Sequence, residues 1–333
     1  FSCSWHGWIH HLRKRQQHQR VHQHPKEISM FDTIIIGCGP SGMTAALYLL
    51  RANKSVLLLE KEGIGGQIAE SPRLENYPSI PSISGSEFAD KLFSQIQDLG
   101  AEFEFAEALE IQKEGNTYIV KTDGDVYSAR SVILANGCKH RKLGLEREEE
   151  LTGHGISYCA TCDGAFFRDQ NVVVIGDANS ALQYAIALSE ICKHVQIMTL
   201  FDRYFADPIL VKRVQENPKI SAEHEWSAIR FEGNKDLTGV TFQNTKTKEI
   251  QTIPCQGCFI AIGQIPHNDA YASFVDLNRG FIVTDENMAT KTPGLFACGD
   301  TRVKKVRQVA TAIGDGANAA MNCLAYLSSL VAA

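Results

Sequence analysis

The first clear pattern of hydrophobic and polar positions begins at Met30. Phe31–Cys38 is a short apolar run rich in Ile, which predicts a buried strand, and Met43–Arg51 repeats its apolar residues with the period of a helix. A second apolar run, Ser55–Leu59, ends at Glu60. This alternation predicts a strand–helix–strand unit, which is the building block of an α/β fold with a parallel sheet.

The turn between the first strand and the helix, Gly37–Gly42 (GCGPSG), has the spacing of a dinucleotide-binding turn. The first glycine permits the tight bend, the second lets the backbone approach a pyrophosphate, and the third lets the helix pack on the strand. The amino end of the helix then faces the phosphates with its partial positive charge. Glu60 follows Gly37 by 23 residues, close to the ~20 at which an acid binds an adenosine ribose. These features predict a bound dinucleotide.

Related patterns recur twice along the chain. Asn171–Ile175 is an apolar run followed by the turn Gly176–Ala181 (GDANSA). Near the end of the chain, Gly294–Asp300 (GLFACGD) brings an apolar strand to a glycine turn, and Arg307–Val309 then opens a helix of small residues over Ala310–Leu324. The start of such a helix can stabilise negative charge on a bound cofactor.

The candidate chemistry lies at Tyr158–Gly164 (YCATCDG). Cys159 and Cys162 are separated by two residues, so they can close a small disulfide ring and reopen it. Asp163 follows directly, where it can shuttle the proton that thiol–disulfide exchange needs. The combination predicts a redox centre rather than a structural disulfide. A second pair, Cys255 and Cys258, has no acidic neighbour, and we interpret it as two buried thiols, with an auxiliary redox pair as the alternative.

Composition narrows the class of protein. A chain of 333 residues suggests about two domains, and without a run of about 18 apolar residues no transmembrane helix is expected. Its ten cysteines are spread over a chain large enough to bury its own core, so we expect a reducing, cytoplasmic compartment. Residues 1–29 carry five basic residues and one acid, which leaves 28 basic against 37 acidic residues, or −9, in the body. Nucleic acid and membrane are therefore not expected partners.

Residues 1–29 also hold six of the eleven histidines and several glutamines, without apolar periodicity. We interpret this leader as a disordered or non-native extension that precedes a natural start at Met30. A basic, acid-poor transit peptide for import into an organelle is the alternative. No metal site is predicted.

Taken together, the motifs resemble the low-molecular-weight thioredoxin reductases. The matching stretches run in family order over about residues 31–326 and comprise the GCGPSG turn, Gly65–Gln67, Glu75–Pro78, Ile133–Gly137, the CATCDG centre, Phe259–Gly263, the GLFACGD stretch and the Arg307-Gln308 helix. The resemblance implies an α/β protein of two nested, three-layer Rossmann-like nucleotide-binding domains. Residues 30–139 and 256–330 would form an FAD domain, and 140–255 an inserted NAD(P)H-type domain that carries the redox CxxC.

The resemblance also implies what the residues do. Electrons would pass from FAD through the Cys159–Cys162 disulfide to thioredoxin or a similar dithiol protein, within a homodimer. Cys162 would be the sulfur nearer the flavin, Cys159 would attack the partner's disulfide, and Asp163 would be the acid/base. The FAD-binding residues that the resemblance implies are Gly37, Gly39, Pro40, Ser41, Glu60, Gly66, Gln67, Asn76, Ala135, Gly137, Gly299, Asp300, Arg307, Gln308 and Val309.

The second nucleotide site departs from the family pattern. Ala178 replaces the second glycine of its turn, and the strand predicted at Val195–Leu200 should lead into a basic cluster, His-Arg-Arg-Asp with a further Arg. Those positions read Thr199–Asp202 (TLFD), with Phe205 in place of the later arginine. Each missing charge-assisted contact is worth about 1.5–3 kcal/mol. A combined loss of about 4 kcal/mol would weaken NADPH binding ~1,000-fold.

Three interpretations of the electron donor stay open. NADH could bind with Asp202 on its ribose, NADPH could bind weakly through other residues, or pyridine nucleotides could have been abandoned. We favour the last, since a known branch of the family takes electrons from reduced ferredoxin. FAD is therefore the predicted cofactor, and NADPH is doubtful. A flavin-bound redox sensor or regulatory protein is the alternative to an enzyme, and the intact Cys159–Cys162 pair with Asp163 favours the enzyme.

Overall fold

A computed structural model of the protein describes residues 30–71 and 74–331. The leader 1–29, and what we expect of it, lies outside the described residues. The strands in chain order are β1 (Met30–Ile36), β2 (Val56–Glu60), β3 (Glu102–Phe105), β4 (Ala108–Glu114), β5 (Thr117–Thr122), β6 (Val126–Leu134), β7 (Cys138–His140), β8 (Ile156–Ser157), β9 (Asn171–Ile175), β10 (His194–Met198), β11 (Ile220–Glu223), β12 (Trp226–Gly233), β13 (Leu237–Asn244), β14 (Ile250–Pro254), β15 (Gly257–Ile260), β16 (Gln264–Pro266), β17 (Leu277–Asn278), β18 (Phe281–Ile282) and β19 (Leu295–Ala297).

Helices connect most of these strands. The α-helices are α1 (Pro40–Arg51), α2 (Gly85–Gln97), α3 (Glu148–Leu151), α4 (Ala160–Asp163), α5 (Asn179–Ser189), α6 (Pro208–Gln215) and α7 (Val309–Val331). Short 3₁₀ turns lie at Gly66–Glu70, Gly164–Phe167, Asp269–Tyr271 and Gly299–Thr301. Within the described ranges, none of the helices is both long enough and apolar enough to cross a membrane.

The larger sheet has the strand order β3-β2-β1-β6-β5-β4, and β19 also pairs with β6. Strands β1, β2, β3, β6 and β19 are parallel, whereas β4 and β5 form an antiparallel extension. Successive side chains of β1 alternate between two cores, as the pleat of a strand requires. Ile35 packs with α1, α2 and α7, while Ile34 and Ile36 pack on the opposite face with Tyr118 of β5.

The smaller sheet repeats this plan. Its five strands are all parallel, in the order β11-β10-β9-β15-β8. On one face Val172 and Val174 of β9 pack with α5 and α6, and on the other Val173 and Ile175 pack with the antiparallel sheet β12-β13-β14. Both sheets are therefore covered on both faces, as parallel sheets generally are. The predicted α/β class with two Rossmann-like units is confirmed.

The chain crosses between the two units through β7 and β16, which pair antiparallel. The predicted boundary after Cys255 requires correction, because β15 pairs with β9 and β8 in the smaller sheet instead of the larger one. The return crossover therefore lies at Gln264–Pro266. Helix α1 also begins at Pro40 and not at Met43, since a proline suits the first helical position, where its missing N–H costs no hydrogen bond.

Candidate active site

Glycine is required at two positions of the first turn by close backbone contact. Gly37 has a φ of +110°, and a Cβ there would lie 2.4 Å from the carbonyl oxygen of Ala135. A Cβ on Gly42 would lie 2.0 Å from the carbonyl oxygen of Gly37. At Gly39 the nearest atom is the carbonyl oxygen of Gly65, 3.9 Å away. The face of Gly39 is therefore open, which leaves backbone that a pyrophosphate can approach.

The backbone of Gly65 and Gly66 lies beside this open face. The Gly65 N–H donates to the carbonyl oxygen of Cys38 at 2.8 Å. A Cβ on Gly66 would lie 3.6 Å from the Gly39 Cα. The Glu60 carboxylate accepts hydrogen bonds from the backbone N–H groups of Cys38, at 2.9 Å, and of Glu62, at 2.8 Å. The acid thus lies at the end of β2, next to the turn, as the sequence predicts.

The C-terminal glycine turn completes this cradle. A Cβ on Gly299, where φ is +76°, would lie 2.4 Å from Ser41 Oγ, and one on Gly316 of α7 would lie 2.2 Å from the Ser41 carbonyl oxygen. These contacts bring Asp300 to the start of α1. Among the described residues, Asp300 Oδ1 is a buried atom without a hydrogen-bond partner, and burial raises the pKa of this carboxyl. A buried acceptor without a donor fits a hydroxyl-bearing cofactor.

The remaining predicted FAD residues lie around the same cradle. Ala135 and Gly137 follow β6, and the Gln67 side-chain amide donates to the carbonyl oxygen of Cys138. The guanidinium of Arg307 lies 4.3 Å from the centre of the Phe281 ring. The structure therefore brings together segments that are far apart in sequence.

A polar bridge connects the cradle with the disulfide across the two units. Asn76 Nδ2 donates to Gln308 Oε1 at 3.0 Å, and Gln308 Nε2 lies 4.0 Å from Cys159 Sγ. Gln308 directly precedes α7, which begins at Val309. The redox centre of the inserted unit thus faces the cradle in this structure.

Cys159 and Cys162 form a disulfide with Cα atoms 5.3 Å apart. Cys159 precedes the first residue of α4, and its Sγ accepts a hydrogen bond from the Cys162 N–H at 3.2 Å. A sulfur at the amino end of a helical turn is suited to thiolate formation, because the N–H group stabilises negative charge on it. The geometry therefore suits a disulfide that opens to a reactive thiol.

The carboxylate of Asp163 is held from one side only. Ser157 Oγ donates to Asp163 Oδ2 at 2.7 Å, while Asp163 Oδ1 is buried and has no hydrogen-bond partner within the described part of the chain. Burial raises the pKa of Asp163, and the Ser157 hydrogen bond opposes this rise. A carboxyl with a raised pKa gains and loses a proton more readily near neutral pH, as an acid/base requires.

The second glycine turn, Gly176–Ala181, carries an acidic residue, Asp177. Asp177 Oδ1 accepts a hydrogen bond from the Phe201 N–H at 3.4 Å, and the Phe205 N–H donates to the Asp177 carbonyl oxygen at 2.8 Å. Phe201 and Phe205 pack edge to face, with ring centres 5.3 Å apart, and are 50% and 53% exposed. The Arg203 guanidinium lies 5.3 Å from the centre of the Phe205 ring, and arginine forks are the usual ligands of a nucleotide 2′-phosphate.

The second CxxC pair is buried. Cys255 and Cys258 are free thiols with almost no exposed surface. Burial raises the pKa of Cys255 to about 12 and raises the pKa of Cys258 well above its usual value. The interpretation as two buried thiols is confirmed.

Sequence reasoning missed Ser157 and Asn136. Ser157 stands two residues before Cys159, and a hydroxyl at that spacing from a redox pair was the available signal. Asn136 lies within the stretch Ile133–Gly137, which matches the family pattern. Its Nδ2 donates to the His267 carbonyl oxygen and to Asn268 Oδ1, both at 3.0 Å. Its own Oδ1 is a third buried acceptor without a partner among the described residues.

Comparison with known proteins gives consistent similarities. Residues 31–316 match the family model described as pyridine nucleotide-disulphide oxidoreductase. The thioredoxin reductase of Listeria monocytogenes is 38% identical over 306 residues, which cover 91% of this chain and 96% of that protein. A protein of Clostridium pasteurianum, named the 34.2 kDa protein in the rubredoxin operon, is 34% identical over 304 residues, with 91% and 99% coverage. The crystal structure of thioredoxin reductase from Streptococcus pyogenes superposes with a TM-score of 0.87 at 39% identity, with 91% and 100% coverage.

Proposed function

Because the chain belongs to the thioredoxin reductase family of flavoprotein disulfide oxidoreductases, we propose that it reduces thioredoxin or a similar dithiol protein with electrons from a donor other than a pyridine nucleotide. The proposal rests on the contrast between the two nucleotide-binding turns of the chain. The disulfide, with Asp163 beside it, faces a nearly complete FAD cradle. Beside the second nucleotide turn, Phe201 and Phe205 stand where the family has arginines, Asp177 adds a carboxylate, and Arg203 lies over the Phe205 ring as a single guanidinium.

The cradle residues fit FAD. The pyrophosphate would lie against Gly39 and the amino end of α1, Glu60 would bind the adenosine ribose, and Asp300 Oδ1 would accept from a hydroxyl of the cofactor. Gln67 and Gln308 would lie nearer the disulfide. When bound, FAD supplies a two-electron carrier that accepts single electrons as well.

The protein's own residues then carry out thiol–disulfide exchange. Reduction of the disulfide by two electrons gives two thiols, so protons must reach the sulfurs, and Asp163, the residue after Cys162, would deliver one. The Cys159 thiolate attacks the partner's disulfide and forms a mixed disulfide. Cys162 attacks Cys159 Sγ, which releases the partner's dithiol and closes the ring again. The partner's released sulfur takes a proton, for which Asp163 is the available acid.

The proposed donor is reduced ferredoxin or a similar one-electron iron protein, delivering two electrons in succession. Phe201 and Phe205 occupy positions where the family has arginines, and Asp177 adds a negative charge beside them. The name of the Clostridium pasteurianum relative, which places it in a rubredoxin operon, is in keeping with a donor of this kind. The homodimer and the cytoplasmic location remain predictions, and light scattering of the purified protein tests the first.

Replacement of one sulfur tests the redox assignment. We expect Cys162→Ser to reduce thioredoxin-disulfide turnover to background while the protein keeps its FAD, because no disulfide can form. The assay follows insulin or dithionitrobenzoate reduction with chemically reduced ferredoxin and thioredoxin. The control is Cys192→Ala, which removes a buried free thiol of the same unit and leaves the disulfide intact. Unchanged turnover in Cys162→Ser would show that the chemistry lies elsewhere, and inactive wild type with a reducible disulfide would favour a redox sensor.

A further inference from the structure

Ser157 contacts both Asp163 and the backbone of Cys159. It is the last residue of β8, and it is buried. Its hydroxyl donates to Asp163 Oδ2 at 2.7 Å and accepts from the Cys159 N–H at 3.0 Å. A serine hydroxyl has one proton to donate, so the bond to Asp163 uses it.

We propose that Ser157 is a positioning residue that aims Asp163 at the redox-active sulfurs. This inference rests on the proposed function, in which Asp163 is the acid/base. The sheet fixes Ser157 itself, because β8 pairs with β15 and places Ser157 opposite Phe259. With Oδ2 held by the hydroxyl, Oδ1 is the oxygen left free to exchange a proton. One side chain therefore links the acid/base to the backbone of Cys159.

The electrostatic surroundings make the contribution of Ser157 measurable. Tyr184 of α5 is a titratable group that lies near Asp163 on a neighbouring element, and it donates to the Tyr158 carbonyl oxygen at 3.0 Å. Burial, and secondarily the charge of Asp163, raise the pKa of Tyr184, so this phenol stays neutral. Burial raises the pKa of Asp163, and Ser157 supplies the opposing hydrogen bond. Loss of the hydroxyl should therefore raise this pKa further, by about one pH unit.

Cleavage of the disulfide by dithiothreitol reports the Asp163 pKa without using flavin turnover. A dithiothreitol thiolate attacks one sulfur, the Cys159–Cys162 bond breaks, and the released thiolate takes a proton from Asp163. Below the Asp163 pKa, the logarithm of the rate rises with pH as the attacking thiolate accumulates. Above it, loss of the protonated carboxyl cancels this rise. The profile therefore has a break, the pH at which its slope changes, and this pH equals the pKa of Asp163.

The experiment uses the FAD-loaded protein, acid quenching, alkylation and mass spectrometry to count the thiols of Cys159 and Cys162. We expect the break to lie ~1 pH unit higher in Ser157→Ala than in wild type. Ser157→Thr keeps a hydroxyl and should return the break to the wild-type pH. Thr161→Ala, which changes an exposed hydroxyl of the same loop, should leave it unmoved.

Two results would overturn the proposal while leaving the proposed function standing. The first is a break in Ser157→Ala at the wild-type pH. The second is an equal shift in Ser157→Thr, which would assign the effect to packing and not to the hydroxyl. A wild-type profile without any break would contradict the acid role of Asp163 in the proposed function itself.

Discussion

The first and second glycine turns occupy equivalent places in the two sheets, yet their side chains differ at the positions that decide ligand binding. The first turn has glycine at Gly37, Gly39 and Gly42, whereas the second keeps only Gly176. Gly37 and Gly176 both have positive φ values and both lie against a carbonyl oxygen of a neighbouring strand's end. The backbone bend is therefore shared by the two turns.

The difference lies in what surrounds the bend. Beside the first turn, Glu60 and the open face of Gly39 suit a ribose and a pyrophosphate. Beside the second, Ala178 adds a methyl group, and Asp177 binds the Phe201 N–H. Hydrophobic layers cover both faces of the smaller sheet, so the fold of this unit does not depend on which side chains surround its glycine turn.

The largest expected effect comes from closing the first turn. Gly42→Ala places a Cβ 2.0 Å from the Gly37 carbonyl oxygen, so α1 must move away from the turn. We expect the variant to purify without FAD and to be destabilised by about 3 kcal/mol. Flavin absorbance per protein and thermal unfolding measure both effects.

The matched change in the second turn is Ala181→Gly. Position 181 already carries a methyl group, which is buried between the smaller sheet and its helices. We expect the variant to keep its FAD and to lose about 1–2 kcal/mol from the lower helix propensity and the missing methyl. Equal flavin loss in both variants, or full flavin in Gly42→Ala, would contradict the assignment of the FAD site to the first turn.

A smaller effect is expected from restoring cations at the second turn. The triple variant Leu200→Arg, Phe201→Arg, Phe205→Arg should bind adenosine 2′,5′-bisphosphate ~10–100-fold more tightly than wild type, as measured by titration calorimetry. The same three positions changed to Gln form the control, which removes the apolar surface without adding charge. Tight binding by wild type, or equal gains in both variants, would show that missing charge does not explain the altered site.

The sequence predicts the parts of this fold that depend on local pattern. The Gly37–Gly42 turn, Glu60 at the end of β2 and the strand Asn171–Ile175 lie where predicted, since spacing and apolar runs determine them locally. The boundary after Cys255, which the family resemblance implies, would place Gly257–Ile260 in the larger unit, whereas this strand lies in the smaller sheet. An apolar run of this length fits either sheet. Only its tertiary pairing with β9 distinguishes the two possibilities.

In the candidate site, too, local sequence predicts some features and tertiary contacts determine the others. Cys159, Cys162 and Asp163 lie within five residues of sequence, so their joint role can be predicted from spacing alone. The contribution of Ser157 could not be predicted from the sequence, because a serine near a cysteine pair is common. Only the structure shows its hydrogen bond to Asp163. The direction of the Asp177 side chain likewise depends on how the end of β10 turns, which no local pattern specifies.

Anaerobic titration of the FAD-loaded protein, followed by flavin absorbance, tests the central claim most directly. Separate titrations use NADPH, NADH and chemically reduced ferredoxin at micromolar concentrations. We predict that ferredoxin bleaches the flavin and that thiols then appear at Cys159 and Cys162, while neither pyridine nucleotide does so at a useful rate. Rapid bleaching by micromolar NADPH, with no response to ferredoxin, would contradict the account.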